Sequence, residues 1–208
     1  MTERLTLQGF EYHTFETLER DSRPIVVFHK TGGDEGELVP LANTVAPGTA
    51  VVGLRGQVVE DSKLRFFKRL GAGRFDEADL ATRADDLNEF LRQFISTHRV
   101  RPPVALGLSN GANIITAALY RGDPPLSAAV LLRPAIPFRN ATPASIGGTK
   151  VLVVGGMSDE TVKPDEILRL TDALRAAGAR VDLTMIAAAG HRLVTGDEAA
   201  IQGWLKMI

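Results

Sequence analysis

The chain has 208 residues, 44% of them hydrophobic and 24% charged, with a formal net charge of −1 at pH 7. That length suits one domain over residues 1–208 with a core of several strands and two helical layers. The balance excludes a disordered chain and gives no general attraction to nucleic acid or an anionic membrane.

Cysteine is absent, which removes disulfides, thiolate metal sites and a cysteine nucleophile. The first residues hold no apolar run before a small-residue cleavage site, and no apolar run of about 18 residues occurs, so neither a signal peptide nor a membrane span is expected. A cytoplasmic protein is the expectation.

Residues 6–17 alternate apolar and polar side chains and predict an exposed, antiparallel edge strand with His13 on its solvent side. Ile25-Val26-Val27-Phe28 is a continuous apolar run, the pattern of a strand covered by helices on both faces. His29-Lys30-Thr31-Gly32-Gly33-Asp34-Glu35 follows, and then a helix predicted over 37–45. Ligands of open α/β sheets bind at that carboxyl edge, and the Gly pair can turn a backbone N–H toward an oxyanion. The loop lacks the spacing and the Lys-Ser/Thr ending of a phosphate-binding P-loop.

Residues 50–54 predict a second short strand, and 55–79 show no regular period. Loops longer than about 12 to 15 residues are usually functional or mobile. Phe66, Phe67 and Phe75 therefore either line an acyl pocket, fold over it, or anchor the segment to the domain. The arginines between Arg65 and Arg74 are interleaved with Asp61, Asp76, Glu77 and Asp79 and read as a solvated surface. Leu87, Phe90, Leu91, Phe94 and Ile95 recur at helical steps and predict a helix over 81–98. His98 falls in its last turn, where the helix dipole favours a cation.

Gly107-Leu108-Ser109-Asn110-Gly111 then lies between the apolar Val104-Ala105-Leu106 and an Ala-rich helical stretch. This is the pattern of a nucleophile elbow, a tight strand-to-helix turn that pushes a Ser hydroxyl out at the top of a sheet. A Gly-rich turn whose Ser only caps the helix is the alternative. Further strands are predicted at 128–132, 150–154 and 181–186, with helices over 164–177 and from 196 onward. Alternating strands and helices imply a doubly wound, mostly parallel sheet with helices on both faces.

Ser109, Asp159 and His191 each follow a separate apolar strand, in the order Ser, acid, His. That order is the one found on α/β-hydrolase folds. A Ser hydroxyl needs an adjacent base, imidazole supplies one, and a carboxylate on the second ring nitrogen fixes its tautomer. Asp165 and Asp197 are rival acids, but they look like first-turn helix residues explained by the helix dipole. Asp182 sits too early in its strand.

From about Ile25 onward the chain resembles the carboxylesterase/phospholipase family of the α/β-hydrolases, its small bacterial esterases and acyl-protein thioesterases. The stretches that carry the resemblance are 28–35, Leu54-Arg55-Gly56, Arg65-Phe66-Phe67, 107–112, Leu132-Arg133-Pro134, Asp159 and Gly190-His191. The resemblance implies an α/β-hydrolase fold without a large cap domain. It implies Ser109 as nucleophile, Asp159 as acid, His191 as base, and an oxyanion hole from the backbone N–H groups of Thr31 and Asn110. It also groups His29, Lys30, Arg55, Phe66, Phe67 and Leu108 around a substrate pocket.

Similar proteins usually carry Gly where this chain has Lys30. Either Lys30 points to solvent or the oxyanion hole is altered. The activity implied is hydrolysis of a small carboxylic ester through an acyl-enzyme, with no metal or organic cofactor and no nucleic-acid partner. A thioesterase acting on acyl-protein or acyl-CoA is one alternative, and a catalytically silent binding protein of the same fold is another. Homodimers are common among similar proteins, so a homodimer is a further possibility.

Overall fold

The computed structural model describes residues 4–71, 73–122 and 124–208. In chain order they form β1 (Arg4–Leu7), β2 (Phe10–Thr14), β3 (Ile25–Phe28), α1 (Val39–Val45), β4 (Val51–Leu54), β5 (Val58–Glu60), β6 (Lys63–Arg65), β7 (Arg69–Gly71) and β8 (Arg74–Phe75). Then follow α2 (Glu77–His98), β9 (Val104–Leu108), α3 (Asn110–Arg121), β10 (Ala128–Leu132), β11 (Lys150–Gly156), α4 (Pro164–Ala176), β12 (Arg180–Ile186) and α5 (Thr195–Leu205).

One sheet runs in the order β1-β2-β4-β3-β9-β10-β11-β12. β2 pairs antiparallel with both of its neighbours, and every pair from β4 to β12 is parallel. Side chains alternate across each strand, so two cores form. Val26 and Phe28 pack with the inner faces of α2, α3 and α4. Ile25 and Val27 pack with α1 and α5 on the other side. The fold is thus the α/β-hydrolase fold, and among the described residues no large cap domain is inserted.

Three local readings change. The alternation over 6–17 hides a reversal: Gln8 and Gly9 have φ of 50° and 74°, the hairpin turn that matches strand twist, and Leu7 faces Phe10 across it. Segment 55–79, without period in sequence, holds the two small hairpins β5–β6 and β7–β8; strands of two or three residues are too short to show one. Helix α2 begins four residues early because the Asp76 side chain accepts the Asp79 N–H at 3.1 Å as its N-cap.

The end of α2 is also a correction. His98 Nε2 lies 2.9 Å from the Tyr12 hydroxyl, and burial pushes the His98 pKa down. Desolvation therefore outweighs the dipole, and the ring is a neutral packing partner. Among the described residues no helix is long and apolar enough to cross a membrane.

Candidate active site

Ser109 sits at the start of α3 with φ 52° and ψ −110°, a backbone geometry that L residues rarely adopt. The flanking glycines allow it. A Cβ on Gly107 would stand 2.6 Å from the Ala112 nitrogen, and one on Gly111 would stand 2.0 Å from the Phe28 carbonyl oxygen. The turn is pinned by the Ser109 N–H, which donates to the Leu132 carbonyl at 2.8 Å.

From this turn Ser109 Oγ reaches His191 Nε2 at 2.8 Å, and His191 Nδ1 reaches Asp159 Oδ2 at 2.8 Å. The second Asp159 oxygen accepts the N–H groups of Thr161 and Val162 at 2.8 and 3.0 Å. Asp159 is buried, whereas Ser109 and His191 are partly exposed. A carboxylate aimed by two backbone amides fixes the tautomer and tilt of the imidazole, which leaves Nε2 as the acceptor for the Ser hydroxyl.

Thr31 and Asn110 line the same cleft as Ser109 and His191, an open space of about 500 Å³. Among the described residues neither backbone N–H is used in a hydrogen bond to the protein. The Thr31 loop is tied to β6: the Gly32 N–H donates to the Leu64 carbonyl at 2.9 Å, and Arg65 Nη1 donates to Thr31 Oγ1 at 2.8 Å. On the other side, Asn110 Oδ1 accepts the Phe66 N–H at 2.8 Å.

Lys30 resolves the departure seen in sequence. Its φ is not positive, so no glycine is required there. Its N–H donates to Glu37 Oε2 at 3.0 Å, its ammonium pairs with the same carboxylate, and its side chain is half exposed. Lys30 thus points away from the cleft.

The other residues grouped around the pocket are placed elsewhere. Phe66 and Phe67 are fully buried in the core beneath α2, where the Phe66 ring lies 5.6 Å from that of Phe28. They anchor the 55–79 segment because an aromatic pair gains more from the core than from an open cleft. Leu108 packs on the α1 and α5 side of the sheet. Arg55 donates to Glu35 at 2.6 Å and lines a separate hollow with Asp34 and Glu37.

His29 is buried beneath the loop. Its Nδ1 is 2.7 Å from the Lys30 carbonyl, and its Nε2 accepts the Gly56 N–H at 3.0 Å. It supports the Thr31 loop from below.

The cleft walls come from the β6–β8 segment, the connection after β10 and the start of α4. The expected solvated arginine run is corrected here. Arg65 is only 5% exposed, lies 3.2 Å from Glu60, and has its pKa pushed down first by burial and then by Arg69. Arg69 shares Glu60 with it.

Sequence reasoning gave Arg133 no role of its own and read Asp197 as a first-turn helix residue explained by the dipole, but both are fully buried. The signal was a lone charged residue capping the run Ala128-Ala129-Val130-Leu131-Leu132. Among the described residues no group of three or more His, Asp or Glu side chains is placed to share a metal ion.

The model of the prolyl oligopeptidase family matches residues 133–207. A Bacillus subtilis (strain 168) protein named "Putative hydrolase MhqD" is 32% identical over 93% of this chain and 97% of its own length. The crystal structure of the Bacillus cereus carboxylesterase is 32% identical, covers 95% of this chain and 94% of that one, and superposes with a TM-score of 0.89. A carboxylesterase from Mesorhizobium loti is 27% identical over 99% of this chain and 98% of that one, also with a TM-score of 0.89. With this fold and these relatives, the chain belongs to the carboxylesterase branch of the α/β-hydrolases and is a hydrolase of that kind.

Proposed function

We propose that Ser109, His191 and Asp159 act as nucleophile, base and acid in the hydrolysis of small carboxylic esters by one domain, through an acyl-enzyme. The observation that carries this reading is the unbroken chain Ser109 Oγ, His191, Asp159, with both contacts at 2.8 Å and the hydroxyl at the cleft wall.

In the first half-reaction Ser109 Oγ attacks the ester carbonyl carbon while His191 Nε2 takes its proton. The tetrahedral oxyanion is held by the Thr31 and Asn110 N–H groups, which are free to donate. Collapse breaks the bond to the alcohol oxygen, and His191 returns its proton to the departing alcohol. Water then attacks the acyl-Ser109 carbonyl with His191 again as base, releasing the acid and restoring the hydroxyl. The Asp159 carboxylate, held against Nδ1, steadies the imidazolium.

The test is Ser109→Ala, assayed with p-nitrophenyl esters and with a fluorophosphonate probe. Turnover and labelling should both vanish while the circular dichroism spectrum is retained. Turnover that survives the substitution would overturn the assignment.

A further inference from the structure

The cleft that holds Ser109 is lined by four guanidinium groups and two carboxylates. Arg65, Arg69, Arg139 and Arg169 line it, opposed by Glu77 and Glu166. Both carboxylates are already hydrogen-bonded: Glu166 Oε1 accepts the Ile136 N–H at 3.0 Å, and Glu77 Oε1 accepts the Arg139 N–H at 3.2 Å. Glu60, just behind the wall, is shared by Arg65 and Arg69. Asp61 also lies 3.7 Å from Arg69, so Arg65 and Arg69 are matched from behind the wall by Glu60 and Asp61, whereas Arg139 and Arg169 have no ion-pair partner among the described residues.

Two details separate this wall from an ordinary solvated surface. Among the described residues the guanidinium groups of Arg139 and Arg169 have no acceptor, although both side chains are exposed at the cleft. Arg65 is buried, its Nε lies 3.2 Å from Glu60 Oε2 without the alignment of a hydrogen bond, and its Nη1 donates to Thr31 Oγ1. Glu60 offsets part of the desolvation cost of this buried guanidinium, and an anion bound on the cleft side would offset more of it. Arginine's planar fork suits a carboxylate or a phosphate oxygen pair.

We propose that the cleft selects esters carrying an anionic group, held by Arg65 together with Arg139 and Arg169, while Ser109 attacks the ester carbonyl. The inference rests on the reading of Ser109 and His191 given above and adds the substrate class to it.

Two matched pairs test it: monoethyl succinate against ethyl butyrate places the charge on the acyl side, and acetoxyacetate against propyl acetate places it on the alcohol side. In at least one pair kcat/KM should favour the anion by about tenfold at low ionic strength, with the preference shrinking as salt is added. Arg139→Ser and Arg169→Ser, both at exposed positions, should each lower the anion-to-neutral ratio, as should Arg65→Met. Competitive inhibition by succinate or by inorganic phosphate tells which anion the arginines prefer.

Equal or inverted preference in both pairs, or a preference that survives loss of these guanidinium groups, would overturn the proposal while leaving the triad standing. Absence of all ester turnover together with no fluorophosphonate labelling of Ser109 would overturn both.

Discussion

The Arg133 guanidinium donates to both carboxylate oxygens of Asp197, at 2.8 and 3.0 Å, with neither side chain reaching solvent. It also donates to the carbonyls of Gly190 at 2.8 Å and Arg192 at 3.4 Å, the two residues that flank His191. A buried ion pair therefore holds the loop that presents the imidazole. Removing one member of such a pair typically costs about 3–5 kcal/mol, because the other charge stays buried alone. Arg133→Met should lower unfolding stability by that order and reduce kcat more than it raises KM. Urea denaturation with steady-state kinetics checks this, and a variant of unchanged stability would show the pair to be idle.

The backbone of Ser109 stores strain, since φ 52° with ψ −110° suits glycine better than any residue with a Cβ. Such a conformation costs about 1–3 kcal/mol, and the added unfolded-state entropy of Gly takes back roughly 0.4–1 kcal/mol. Ser109→Gly should thus be more stable than Ser109→Ala by about 1 kcal/mol, with both inactive. Thermal melts of the pair decide it; equal midpoints would mean that the turn is relaxed.

What was legible in sequence follows from how local its cause is. The elbow could be read because its strain demands glycines at fixed offsets, and the parallel strands because burial on both faces leaves an unbroken apolar run. The placement of Asp159 and His191 followed from the same strand-end logic. Arg133 could not be read the same way: its partner Asp197 is 64 residues away in sequence, and only the folded chain brings them together. Phe66 and Phe67 announced burial without saying on which side of the loop, and the core took them. Arg65 looked like one more surface cation because the hairpin that buries it is too short to leave a period.

Acid should weaken the fold below pH 6.5. Burial holds the His29 pKa below its ordinary value of 6.5, and the ring is fixed as the Nδ1–H tautomer by donating to the Lys30 carbonyl and accepting from Gly56. His98 is shifted the same way by burial. The unfolded chain takes up these protons near pH 6.5 and the folded chain only at lower pH. Between the two values the unfolded state binds more protons, so stability falls as pH falls through this window. His29→Asn and His98→Asn should each flatten the decline, measured by urea midpoints from pH 7.5 to 5. A wild-type profile flat over that range would contradict the assignment of neutral rings.

Lys30 should be dispensable. Its charge is spent on Glu37 at a half-exposed surface, and pairs of that kind are worth about 0–1 kcal/mol. Lys30→Gly is expected to leave kcat/KM within about threefold of the parent, well short of the hundredfold or greater loss typical of a missing oxyanion donor. A loss of that larger size would place the lysine at the reaction centre.

The wall that faces Ser109 is nailed down along residues 64–67: Leu64 and Arg65 to the Thr31 loop, the Phe66 amide to Asn110, and two phenyl rings in the core. A barrier riveted in this way does not swing, so the entrance stands ready before any guest arrives. Capture should then proceed in one kinetic phase, paced by diffusion and by the charge at the mouth, with no separate gating step to slow it.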